Sequence, residues 1–99
     1  GGLDADTIRR VIRRHLPEVR YCYATHGLKS NPKLEGQVKV AFAITPAGLT
    51  SDVKIASTKL NHATTEQCLV DAVKRWKFPK PEGQTPQVVY PFHFKPTGG

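Results

Sequence analysis

Few residues in this chain are able to do chemistry, and they are scattered. Cys22 and His26 stand four apart, close enough to share one helix face, while His15, His62 and His93 lie elsewhere. A thiol and an imidazole at that spacing are the parts of a nucleophile–base couple, or two ligands of a zinc ion. Neither chemistry is completed. Zinc sites are marked by paired close spacings such as Cys-x2-Cys, and here each ligand would have to come from a separate element. The chain has no Gly-x-Ser-x-Gly elbow, no phosphate-cradling glycine loop and no His-Glu-x-x-His. No catalytic residue, metal or cofactor is assigned, the histidines read as scattered surface groups, and the chain is expected to be non-enzymatic with no small-molecule substrate.

Charge is the second resource. Fifteen Lys and Arg against eight Asp and Glu leave a net charge of +7. Arg9, Arg10, Arg13 and Arg14 form a basic face opposite Ile8, Val11 and Ile12. Such a face can track phosphates with a steep salt dependence, so a basic nucleic-acid-binding domain is the alternative reading. The ordinary reading is a solvated helix face that attracts an acidic peptide or anionic lipid head groups. The aromatic residues favour the second: Tyr90, Phe92 and Phe94 share the apolar face that helices should cover, so they are not free to stack on bases.

The elements that must position these groups follow from periodicity. Ninety-nine residues suit a single core. The longest uncharged apolar-leaning run, Val40 to Ser51, is broken by Pro46 and Gly48 and falls short of the roughly 20 residues of a membrane span. Between Asp6 and His26, Ile8, Val11, Ile12, Leu16, Val19, Cys22 and Tyr23 recur at spacings of three and four, an amphipathic helix capped by Asp4 or Asp6 and kinked or restarted at Pro17. Gly27 is expected just past its end, at positive φ. From Leu34 the period becomes two, with Val38, Val40, Phe42 and Ile44 on one face of a strand. Thr45-Pro46-Ala47-Gly48 turns the chain into a second strand, with Leu49, Ser51, Val53 and Ile55 on one face and Thr50, Asp52 and Lys54 on the other. Thr64-Thr65-Glu66-Gln67 has the form of a capping box, and Cys68, Leu69, Ala72, Val73 and Trp76 make the stripe of a second helix that Pro79 and Pro81 stop. Val88, Tyr90, Phe92 and Phe94 line a third strand, placed at an edge by Pro91.

The expected architecture is α+β: a three-stranded antiparallel sheet of order 2-1-3, with two helices packed on one face. Leu69, Val73, Trp76, Val40, Phe42, Ile55, Tyr90 and Phe92 should form its core. Residues 1–5 read as scar or linker, 6–96 as the domain and 97–99 as a frayed tail, in a piece of a longer protein.

Leu34 to Phe42 with Ile44-Thr45-Pro46-Ala47-Gly48-Leu49 resembles the hairpin of the TonB C-terminal domain family, and Val53 and Ser57-Thr58 continue it. Ala72 to Pro81 resembles that family's second helix with its Trp-x-Phe-x-Pro exit, and Val89 to Pro96 its third strand. Val19-Arg20-Tyr21-Cys22-Tyr23 and Cys68 are most similar to the AgmX/PglI type found in bacterial gliding-motility proteins. The resemblance spans about Ile8 to Pro96. It implies a force-transmitting periplasmic module on a parent chain anchored in the inner membrane with a motor complex. Its third strand would accept an extended, Ton-box-like segment of an outer-membrane or periplasmic protein. The Tyr-Pro pair usual near the start of TonB domains is replaced here by Arg20-x-Cys22-Tyr23.

On that resemblance, Gln87, Val88, Val89, Tyr90, Pro91, Phe92, His93 and Phe94 are the expected partner-binding edge, with no nucleic acid expected. Cys22 and Cys68 lie one on each expected helix. They are either a disulfide or two buried thiols acting as small hydrophobes, and the resemblance to a periplasmic family favours the disulfide.

Overall fold

Asp4 opens the first helix: its carboxylate accepts the Thr7 N–H at 2.7 Å, which holds its pKa below the ordinary carboxylate value. The helix α1 runs Ala5–Arg14 and buries Val11 and Ile12. It ends at His15, and α2 starts at once as Leu16–Cys22. Pro17 therefore falls in a first turn, where its missing N–H would have had no intrahelical partner. The restart anticipated at Pro17 is thus set two residues earlier, at His15, whose carbonyl accepts the N–H groups of Glu18 and Val19. From Tyr23 to Leu28 the winding widens to a π-helical turn.

The computed structural model describes residues 2–96. Strands β1 (Gly36–Ile44) and β2 (Thr50–Thr58) form the hairpin, α3 (Ala63–Arg75) follows, and β3 (Gln87–Phe94) closes the sheet. The sheet is antiparallel throughout, in the order β2-β1-β3, as expected from the hairpin and the helical connection that follows it. Helices and sheet enclose one core in which Ile12, Val38, Val40, Ile44, Leu69, Val73 and Trp76 are almost fully buried. Phe42 and Phe92 join it, whereas Ile55 and Tyr90, expected inside, are half-buried at its margin. Both lie on edge strands, where helix cover is thinner than over β1.

Four local expectations are corrected. Gly27 is not a positive-φ cap: it lies buried inside the π-helical turn, where a Cβ would come within 2.9 Å of Leu34 Cδ2 and 3.0 Å of Thr65 Oγ1. Its role is close approach. The cap of α3 is His62 rather than Thr64. His62 Nδ1 accepts the Thr65 N–H, and Glu66 reaches back to the His62 N–H at 2.9 Å. On β2, Thr50 turns toward the helices and donates to the Val73 carbonyl at 2.9 Å. Register shifts against β1 at Lys39/Val40 and Ala41/Ala43, with Asp52 at φ 53°, give β2 an extra residue twice and reset its alternation. Residues 2–5 do not stand outside the domain. Gly2 bridges to Glu82 and Leu3 packs on the core. Gly1 and the expected tail, 97–99, lie outside the described residues.

The hairpin turn is the one expected. Gly48, at φ 83°, donates to the Thr45 carbonyl at 2.8 Å and accepts the Phe78 N–H at 2.8 Å. The Trp-x-Phe exit of α3 is thereby stitched to the β1–β2 turn.

Candidate functional site

The strand β3 pairs with β1 over an unbroken register, from Gly36 opposite Phe94 to Ala43 opposite Gln87. In an antiparallel ladder, alternate residues turn both backbone groups toward one neighbour and then the other. The Gln37 carbonyl accepts the Lys59 N–H on the β2 side, and the Ile44 N–H bonds Pro86 on the β3 side. Odd-numbered residues of β1 therefore turn toward β2. Their partners on β3, which are Gln87, Val89, Pro91 and His93, turn away from β1 to the free edge. Pro91, opposite Lys39, thus costs the ladder nothing, and the free edge offers paired N–H and C=O groups at Gln87, Val89 and His93 with a carbonyl alone at Pro91.

The side chains of β3 divide as its alternation predicts. Phe92 and Phe94 are buried under the helices, with Tyr90 4.9 Å from Phe92 and Tyr23 4.9 Å from Phe94 between ring centroids. Val89 faces the other way and is 58% exposed. On that open face, His93 Nε2 lies 3.2 Å from the Gln37 amide.

Alongside the free edge runs a trough whose far wall is helical. Beside Gln87–Tyr90 the wall is Ala5, Ile8 and Arg9 of α1. Beside Tyr90–Phe94 it is Leu16, Val19 and Arg20 of α2. At the Phe94 end it is Arg20, Tyr23, Ala24 and Leu28, with Lys95 opposite. The whole expected edge, Gln87 to Phe94, is therefore gathered in one place. A larger groove, of about 680 Å³, lies on the open sheet face beside Ala41, Lys54, Ala56 and Val89.

The wall of the trough is held from behind. Cys22 and Cys68 form a disulfide with Cα atoms 5.6 Å apart, tying the end of α2 to α3. The Cys22–His26 pair accordingly has no free thiol. At the other end of α2, Glu18 accepts the Trp76 indole N–H at 2.8 Å and the Arg75 guanidinium at 2.6 Å. His15 stacks on Trp76 with centroids 4.6 Å apart. Burial pushes the Glu18 carboxyl pKa up, but the bonds from Trp76 and Arg75 and the Arg75 charge outweigh it and hold the group below its ordinary 4.5. The Tyr23 hydroxyl donates to the Leu34 carbonyl, and burial with the nearby Glu35 charge raises its pKa. The expected arginine face is present but uneven: Arg9 pairs with Asp6 at 2.7 Å, while Arg10, Arg13 and Arg14 are exposed and make no ion pair among the described residues.

Sequence reading did not single out Glu18 or the α2 residues Leu16, Val19 and Arg20 as part of the site. Their signal is Pro17, which sits in the first turn of α2 and marks the restart at His15 that re-aims the second half of the helical segment. Among the described residues no helix is long and apolar enough to cross a membrane.

Residues 30–96 match the family model of the Gram-negative bacterial TonB protein C-terminal region. Two solution structures of the Helicobacter pylori TonB C-terminal domain share the fold. The longer fragment is 14% identical with a TM-score of 0.50, and the match covers 96% of this chain and 95% of that one. The shorter is 24% identical with a TM-score of 0.51, and covers 85% and 96%. No curated protein sequence matches the chain.

Proposed function

This chain belongs to the Gram-negative bacterial TonB protein C-terminal family, and from that membership we propose that it is a non-enzymatic periplasmic coupling module that holds its partner by strand addition along β3. The observation that supports this reading is the free edge of β3, whose outward backbone groups at Gln87, Val89 and His93 face a trough between the strand and α1–α2. An extended segment laid there would gain main-chain hydrogen bonds without close sequence matching, and side-chain selectivity from the trough wall. Bonds loaded together along the strand direction also suit a module that transmits tension.

The partner is an extended, Ton-box-like segment of an outer-membrane or periplasmic protein, and the parent chain is anchored in the inner membrane with a motor complex. Arg20-x-Cys22-Tyr23 together with Cys68 favours the AgmX/PglI type within the family, and with it a role in gliding motility beside TonB-like energy transduction. The test is an NMR titration of the domain with periplasmic segments of candidate outer-membrane proteins. Shifts concentrated on Gln87 to Phe94 are expected. Shifts confined to Arg9, Arg10, Arg13 and Arg14 would move the site to α1 and revive the nucleic-acid reading.

A further inference from the structure

We infer that the trough along β3 reads its partner with a defined polarity: it takes an extended peptide whose alternate apolar side chains enter three successive cavities and whose acidic residue lies at the Phe94 end, beside Arg20 and Lys95. This rests on the strand-addition reading above.

The cavities measure about 230, 250 and 190 Å³ in order along the strand. Each is bounded by consecutive β3 residues, so each lies against the strand's edge rather than on one face of the sheet. Apolar groups close them from the helical side: Ile8 at the first, Leu16 and Val19 at the second, Ala24 and Leu28 at the third. In an added strand, side chains directed toward the helices recur every second residue, at about 7 Å. The side chains on that face of such a segment, at alternate positions, are the ones placed to enter the cavities.

The charge along the trough is not even. Arg9 at the first cavity is engaged by Asp6 at 2.7 Å, so that end is close to neutral. Arg20 borders both the second and third cavities, is exposed, and makes no ion pair among the described residues. Lys95 borders the third and is likewise unpaired. Glu35 is the nearby acid, felt by the Tyr23 hydroxyl, and it offsets only one of these two cations. Among the residues that line the cavities, a carboxylate therefore meets an unpaired cation only toward the Phe94 end. Main-chain pairing by itself is weakly specified against a two-residue slip. One fixed charge partner removes that freedom and sets which end of the segment enters where.

The test compares three eight-residue peptides of alternating Val and Ser: one neutral, one with Asp at the amino end, one with Asp at the carboxyl end. All three should shift Gln87 to Phe94. One of the two acidic peptides alone should bind tighter than the neutral one, by roughly two- to fivefold. That gain should vanish in Arg20→Gln and in Lys95→Gln but persist in Lys74→Gln, at an exposed cation of α3 that lines none of the three cavities. Both substitutions at the Phe94 end are at exposed positions, and each variant's spectrum reports that it is folded. Equal affinity of the two acidic peptides, or a gain that survives Arg20→Gln, overturns the polarity while strand addition stands. No shift on β3 with any of the three overturns both.

Discussion

Glu18 and Trp76, 58 residues apart in the chain, meet through a 2.8 Å hydrogen bond from the indole N–H to Oε1. The other carboxylate oxygen takes Arg75 at 2.6 Å, and the ring of His15 lies flat against the indole. One acidic side chain thus fixes the start of α2 on the end of α3. Because Leu16, Val19 and Arg20 sit on the same two turns, this contact also sets where the trough wall stands relative to β3.

Glu18→Ala leaves the buried indole N–H without its partner. The carboxylate is about one-third exposed, so solvent screens part of its worth. The expected loss is about 1–2 kcal/mol, or roughly 5–10 °C in Tm, read by thermal denaturation. The sign with pH follows from the depressed pKa. The stabilisation is full above the unfolded value near 4.5 and disappears as pH falls through the lower folded value. The wild-type minus variant difference in Tm should therefore shrink on acidification below that window.

The disulfide closes a span of 46 residues. On the chain-entropy estimate, opening it releases about 4 kcal/mol of constraint on the unfolded chain, of which roughly 2–4 should appear in a denaturant melt of Cys22→Ser/Cys68→Ser. The native protein should have a mass about 2 Da below the reduced chain (two hydrogens lost with the bridge) and resist alkylation until reduced. Rapid alkylation of both cysteines in the unreduced native protein would contradict the pairing.

Gly48→Ala should be among the more damaging single substitutions outside the core. A Cβ there would meet the Phe78 carbonyl at 2.3 Å, on a residue held at φ 83°. The expected cost is about 2–4 kcal/mol by chemical denaturation, because strain and a backbone clash add. A loss below about 0.5 kcal/mol would mean that the turn relaxes freely.

Pro91→Val adds an N–H at the middle of the free edge without removing a ladder bond, since the Pro91 nitrogen faces away from β1. Stability should change by less than about 1 kcal/mol. Association should rise: a larger sedimentation coefficient at high concentration, and stronger peptide shifts on Val89 and His93, are expected.

Much of this arrangement is legible in the sequence, for a physical reason. Val38, Val40, Phe42 and Ile44, and the stripe Leu69, Ala72, Val73 and Trp76, each bury one face, and burial leaves a period in the residues themselves. Pro91 likewise marks β3 as an edge because a missing donor is a property of one residue. Positions whose reason lies elsewhere in the chain are not legible in this way. A glycine at position 27 suits either a cap or a tight packing site, and only Leu34 and Thr65, brought close by folding, decide for the second. His62 is not among the preferred cap residues, and Thr64 with Gln67 offers a better local pattern than the one the fold uses. Glu18 looks like an ordinary surface acid until α3 is packed beside it.

The two irregularities of β2 have a consequence for assembly. A sheet with two regular edges behaves as a bifunctional monomer: each unit that joins exposes a new site, and growth can propagate into a fibre. In this sheet β2 departs twice from the ladder, with Asp52 in the left-handed region, so its outer rim presents no even row of donors and acceptors. Only β3 offers a regular one. On the proposed strand-addition reading the domain would be monovalent along its hydrogen-bonding axis: a strand accepted at β3 would find no matching terminus on the far side, and the chain of pairing would stop after one step.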